Sequence, residues 1–147
     1  MTVFQQAAAI PYKTDKGNLY ILLIRSRSGK KWIIPKGIIE DGDTATYTAE
    51  KETEEEAGVT GAVHKEPVGK YEYDKWGGLC RVQVFSMRVT EVLEEWDEMD
   101  FRDRNWVKAK KAIKMVKPKQ LRKILKLFSK SFNKNNLKKN QELVLGN

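Results

Sequence analysis

Apolar and polar positions alternate in short blocks through the first quarter of the chain. Phe4 to Tyr12, Asn18 to Arg25 and Lys31 to Ile34 are apolar stretches of strand length. They are separated by Thr14-Asp15-Lys16-Gly17 and Arg27-Ser28-Gly29-Lys30, both of which carry hairpin chemistry. Gly69 to Asp74 and Leu79 to Val92 predict two more strands around a turn at Lys75-Trp76-Gly77-Gly78, and Arg104 to Val107 a last short one. The period changes in two places. Asp43 to Ala57 reads as a helix opened by Asp43 and ended by Gly58. From Pro118 to Phe132, Leu121, Ile124, Leu125, Phe128 and Phe132 recur at helical spacing with lysines opposite. Strands, a helix, more strands and a terminal amphipathic helix predict an α/β fold with a mixed sheet.

The first helix carries the chemistry. Glu52, Glu55 and Glu56 are spaced i, i+3, i+4 and share one face, while Glu54 points elsewhere. Three carboxylates on one helical face repel each other. Near the helix C-terminus the macrodipole disfavours them further. A cation between them removes that penalty, and hard oxygen ligands select magnesium or manganese.

The 23 residues from Gly37 to Val59 resemble the signature of the Nudix hydrolases, with Gly37, Glu52, Glu55, Glu56, Gly58 and Val59 in place. Asp43 stands where that signature has its first glutamate, Lys51 where it has arginine, and Thr53 where it has an aliphatic residue. A lysine lacks the planar bidentate grip of an arginine on a carboxylate. The resemblance implies an α/β/α sandwich over residues 1–132, while 133–147, rich in Asn and Lys, reads as a basic, frayed extension. It also implies a pyrophosphohydrolase in which water attacks phosphorus across a diphosphate linkage. Glu52, Glu55, Glu56 and the Gly37 carbonyl would hold Mg2+ or Mn2+, and Lys51 would orient a catalytic glutamate.

Two further stretches, Lys31 to Gly37 and Val89 through Trp96 to Ile113, resemble the branch of the family that cleaves diphosphoinositol polyphosphates and diadenosine polyphosphates. Such substrates need cations around a highly phosphorylated group, and arginine forks suit phosphate. Arg25, Arg27, Lys36, Arg81, Arg102 and Arg104 are the candidates, with Tyr71, Tyr73 and Trp76 as candidate base-stacking rings. The same signature also accommodates a hydrolase of ADP-ribose, a nucleoside triphosphate or RNA 5′ ends. From another class, a non-catalytic binding module would keep the fold and hold RNA or a partner with its basic C-terminal region.

Composition narrows this only in part. A chain of 147 residues with 40% hydrophobic positions suits one domain. The lone Cys80 lies in an apolar-alternating stretch and cannot pair internally. No run reaches the roughly 20 apolar residues of a membrane span, and Met-Thr-Val-Phe-Gln-Gln lacks signal-peptide order, so the cytoplasm is expected. His64 has no second histidine or neighbouring cysteine and reads as a surface residue. The net charge of +8 is local: Lys108 to Gln141 holds thirteen basic residues and no acid. Residues 1–107, with 15 basic against 19 acidic, are net acidic. The expected partner is a small phosphorylated substrate; nucleic acid is not favoured, because lysine without interleaved aromatics is a weak basis for base stacking.

Overall fold

The computed structural model describes the backbone of residues 1–145 and the side chains of residues 1–135. Its elements are β1 (Val3–Asp15), β2 (Asn18–Arg25), β3 (Trp32–Ile33), β4 (Lys36–Ile38), α1 (Ala45–Ala57), β5 (Val59–Val63), β6 (Gly69–Lys75), β7 (Gly78–Val92), β8 (Arg104–Lys108), α2 (Ala109–Met115) and α3 (Lys119–Leu145). The strands form one mixed sheet in the order β3-β2-β1-β7-β5. In addition β4 pairs with β1, β6 with β7 and β8 with β2.

Two predicted hairpins close as their residues dictate. Lys16 and Gly17 between β1 and β2, and Trp76 and Gly77 between β6 and β7, all adopt positive φ, as two-residue hairpin loops of the right twist require. β1 and β7 then run side by side in parallel, from Val3 opposite Leu79 to Tyr12 opposite Arg88.

Alternation along these central strands sorts their side chains to two faces. Ala8, Ile10, Ile21, Leu23, Val82 and Val84 join Leu121, Ile124, Leu125 and Phe128 of α3 in the larger core. Burying each of those four α3 side chains stabilises by on the order of 2 kcal/mol before entropy is counted. On the opposite face Ala7, Ala9, Phe85 and Met87 pack with Ala49 of α1, and Leu22 and Ile24 pack with Ala57 and Val59. Helices cover both sides, so β1 and β2 carry continuous buried runs. The architecture is an α/β/α sandwich.

One detail differs from the sequence reading. Thr44, not Asp43, caps α1: its hydroxyl accepts from the Tyr47 N–H at 3.1 Å. Asp43 is spent one step earlier, its own N–H donating to the Glu40 carbonyl in a turn. Thr53, in the aliphatic position, is fully buried because its hydroxyl donates to the Ala49 carbonyl at 2.6 Å, which leaves its methyl for the core. The backbone of helix α3 runs on past residue 132 to Leu145.

Candidate active site at the C-terminal end of helix α1

The last turn of α1 leaves four carbonyls without helical partners, and each finds one. The Gly58 N–H donates to the Glu54 carbonyl at 3.0 Å, and the Glu98 N–H to that of Glu55 at 3.0 Å. Trp96 Nε1 donates to the Glu56 carbonyl at 3.1 Å, and Arg104 Nη1 to that of Ala57 at 3.1 Å. Gly58 sits at φ 66°, and a Cβ there would lie 2.6 Å from Arg104 Nη1 and 2.7 Å from the Trp96 ring, so glycine is required twice over. The segment following β7 therefore exists, structurally, to finish this helix.

The carboxylates sit just above that end. Glu52 leans over Gly37: a Cβ at Gly37 would lie 2.3 Å from Glu52 Cδ, which is the close approach that the missing side chain permits. Burial raises the Glu52 pKa and neighbouring Glu55 raises it further. Glu56 is 4% exposed. Its Oε2 accepts from the Lys36 backbone N–H and its Oε1 from Arg102 Nη2, each at 3.1 Å. Burial pushes its pKa up to about 8 against the pull of Arg102.

This donor set fits a hard divalent cation. Carboxylates whose ionisation is resisted by burial and by each other gain most from a nearby positive charge. Among the described residues no three acids already close on a common point, because Glu56 is turned toward Arg102 and Lys36.

The family model of the NUDIX domain matches residues 3–129. The chain belongs to the Nudix family. It is 32% identical over 118 residues to Nudix hydrolase 12, mitochondrial, of Arabidopsis thaliana, covering 75% of this chain and 58% of that protein. It is 32% identical over 114 residues to diphosphoinositol polyphosphate phosphohydrolase 3-alpha of Mus musculus, covering 76% and 68%. The chain thus spans about six-tenths of the plant protein's length. Among solved structures, a C. elegans Ap4A hydrolase binary complex superposes with a TM-score of 0.73 at 21% identity, over 88% of this chain and 98% of that one. At that identity the likeness is one of fold.

The Nudix box thus lies on α1 and its flanks, with Glu52 against Gly37 and Glu56 against the Lys36 backbone N–H. The Lys51 ammonium stays in solvent, where Glu55 and then Glu40 raise its pKa, and it makes no ion pair within 4 Å among the described residues. Arg102 holds Glu56 instead.

The expected phosphate contacts divide. Lys36 is half-buried, with its backbone N–H on Glu56 and its Nζ 5.3 Å from the centre of the Tyr73 ring; burial lowers its pKa and Glu56 opposes that. Arg25 stacks on Trp32 at 4.1 Å, and exposed Arg27 lies 5.5 Å from the Phe101 ring. Both come from the end of β2, whose backbone is tied to the Arg102 and Asp103 loop.

The Arg104 guanidinium donates to the carbonyls of Ala57, Gly58 and Leu93 and stacks 3.9 Å from Trp96, so these donors serve the helix end. Arg81 pairs with Glu72 at 2.7 Å in a cleft of about 580 Å³, lined also by Gln5, Lys70, Gln83 and Gln120. Residues 81, 83 and 5 share a sheet face with Ala7 and Gly37.

Tyr71 is buried in the α3-side core and offers no face to a base. Tyr73 stacks on it and donates to Gln6 Oε1 at 2.8 Å, while Trp76 is 56% exposed at its turn. Cys80 is a buried free thiol and His64 an exposed turn residue. Glu98, its carboxylate 3.0 Å from Arg102 Nε, is the site residue that sequence reasoning missed.

Proposed function

We propose that this Nudix protein is a metal-dependent pyrophosphohydrolase that cleaves a diphosphate linkage in a phosphate-rich small molecule. The observation that carries the reading is the set of three glutamates at the end of α1, one of them leaning over Gly37 and one buried. Glu52, Glu55, Glu56 and the Gly37 carbonyl would hold Mg2+ or Mn2+. A bound divalent cation neutralises charge building on the phosphoryl oxygens and acidifies water.

The remaining work falls to the chain. One of the three glutamates takes the proton of the attacking water. Lys36, beside the site with its charge against an aromatic face, meets a substrate phosphate as a point charge, and Arg25 and Arg27 at the end of β2 meet the others. Tethered between Trp32 and Phe101, these two arginines lose little freedom on binding.

The substrate class we favour is a diphosphoinositol polyphosphate or a dinucleoside polyphosphate. The likeness to the mouse diphosphoinositol polyphosphate phosphohydrolase supports it. A compartment that keeps thiols reduced, such as the cytoplasm, suits the buried free Cys80. No helix among the described residues is long and apolar enough to cross a membrane.

The test is phosphate release from a panel of diphosphoinositol polyphosphate, diadenosine polyphosphate, ADP-ribose, nucleoside triphosphate and 5′-triphosphorylated RNA, with and without Mg2+. The reading predicts Mg2+-dependent release, with the first two cleaved at the highest kcat/KM. Cleavage confined to one of the others would replace the substrate assignment. No cleavage of any, beside salt-sensitive RNA retention by the lysines of α3, would make the protein a binding module.

A further inference from the structure

Position 51 of the box carries a lysine that stays in solvent, yet the buried Glu56 is held rigidly. Its holder comes from a loop 46 residues away in sequence. Arg102 is 7% exposed and uses its fork in three directions. Nη2 donates to Glu56 Oε1 at 3.1 Å, Nε to Glu98 Oε1 at 3.0 Å, and Nη1 to the Arg25 carbonyl at 2.9 Å. Three acceptors, one on α1, one on β2 and one in its own loop, restrict a planar guanidinium on every side. The Lys36 N–H fixes the other oxygen of Glu56, so the carboxylate is pinned at both ends.

We infer that Arg102 is the positioning residue of this active site, performing from the loop before β8 the orienting task that residue 51 does not perform from the helix. The inference rests on the Nudix reading above and goes beyond it, because Arg102 lies outside the box. Through the Arg25 carbonyl the same guanidinium also fixes the end of β2, from which Arg25 and Arg27 reach toward substrate. The acid that binds metal and the arm that binds phosphate are thereby set against one rigid group. A lysine at 102 could satisfy one acceptor well but not all three.

The experiment compares wild type, Arg102→Lys, Arg102→Gln and Lys51→Ala by three measurements: Tm, Mn2+ affinity by calorimetry in the absence of substrate, and kcat and KM on whichever panel compound wild type cleaves. Loss of a group that orients a metal-binding side chain typically costs 10- to 100-fold in affinity or activity. Arg102→Lys is expected to fold, to bind Mn2+ roughly tenfold more weakly and to lose roughly tenfold in kcat. Arg102→Gln is expected to lose more in both, and Lys51→Ala to stay within about threefold of wild type, the effect of a solvated charge.

A merely structural role lowers Tm while Mn2+ affinity and kcat per folded molecule stay at wild-type values, and that result overturns the inference. If Arg102→Gln fails to fold, Arg102→Lys alone decides: matching wild type in Mn2+ affinity and kcat overturns the inference. A Lys51→Ala loss as large as that of Arg102→Lys also overturns it, by returning the task to the helix. Wild type that neither binds Mn2+ nor hydrolyses any panel compound overturns the Nudix reading and this inference together, whereas active wild type with unaltered variants overturns this inference alone.

Discussion

Arg104 closes the helix that Gly58 ends. Its Nη1 donates to the Gly58 carbonyl at 3.0 Å, and the space a Cβ at Gly58 would take is filled by that nitrogen and the Trp96 ring. Three acidic residues crowd the last turn of α1, so a cation here offsets both their repulsion and the negative end of the helix dipole. Arg104 supplies that cation through hydrogen bonds to the Ala57 and Gly58 carbonyls.

Arg104→Ala should therefore destabilise the protein by roughly 2 kcal/mol, the scale of charge-assisted hydrogen bonds to partly buried acceptors. KM in the folded fraction should stay near that of wild type. Thermal unfolding and steady-state kinetics on the same preparation check this; a rise in KM of tenfold or more with Tm unchanged would return Arg104 to the substrate.

Gly37→Ala tests the packing of Glu52. The added Cβ would meet the end of the Glu52 side chain at 2.3 Å, and a flexible side chain can swing clear at little cost to the fold. Tm should fall by no more than a few degrees while kcat drops at least tenfold, the effect of displacing a group held for reaction. Unchanged kcat would show that the position of Glu52 over Gly37 is unimportant.

Stability should depend on pH in a direction opposite to that of most carboxylates. Burial raises the folded-state pKa of Glu56 from 4.5 to about 8. Between those values the folded protein binds more protons than the unfolded chain, so stability falls as pH rises across the window. In metal-free protein Tm should decline from pH 5 to pH 8, and the rise in Tm on adding Mn2+ should grow over the same range. Glu56→Gln should flatten the decline. Calorimetric scans at several pH values would contradict this if the Glu56→Gln and wild-type curves ran parallel.

Most of the sheet and the acidic helix are visible in the sequence because their signals are local. Period-two alternation, Lys16-Gly17 and Trp76-Gly77 at turns, and carboxylates spaced i, i+3, i+4 need no tertiary context. The short strands β4 and β5 escaped because three or five residues beside Pro35 or Gly58 leave no period to detect. Asp43 and Thr44 carry equal capping chemistry, and only the turn closed by the Asp43 N–H decides between them. From sequence Arg102 and Arg104 read as phosphate contacts, and Glu98 vanishes into the acid-rich run before them. Their tasks depend on contacts with α1 more than 40 residues away, which no local pattern encodes.

The central claim is that the glutamates of α1 hold the cation that drives diphosphate cleavage. Mg2+-dependent phosphate release measured for wild type, Glu55→Gln and Glu56→Gln tests it most directly, since each substitution keeps the side-chain shape and removes the charge. Both variants should fold, with turnover lowered by about 10² or more, the scale for losing a positioned proton acceptor or metal ligand. Near-wild-type turnover in both, with the fold intact, would contradict the account and place the chemistry elsewhere in the molecule.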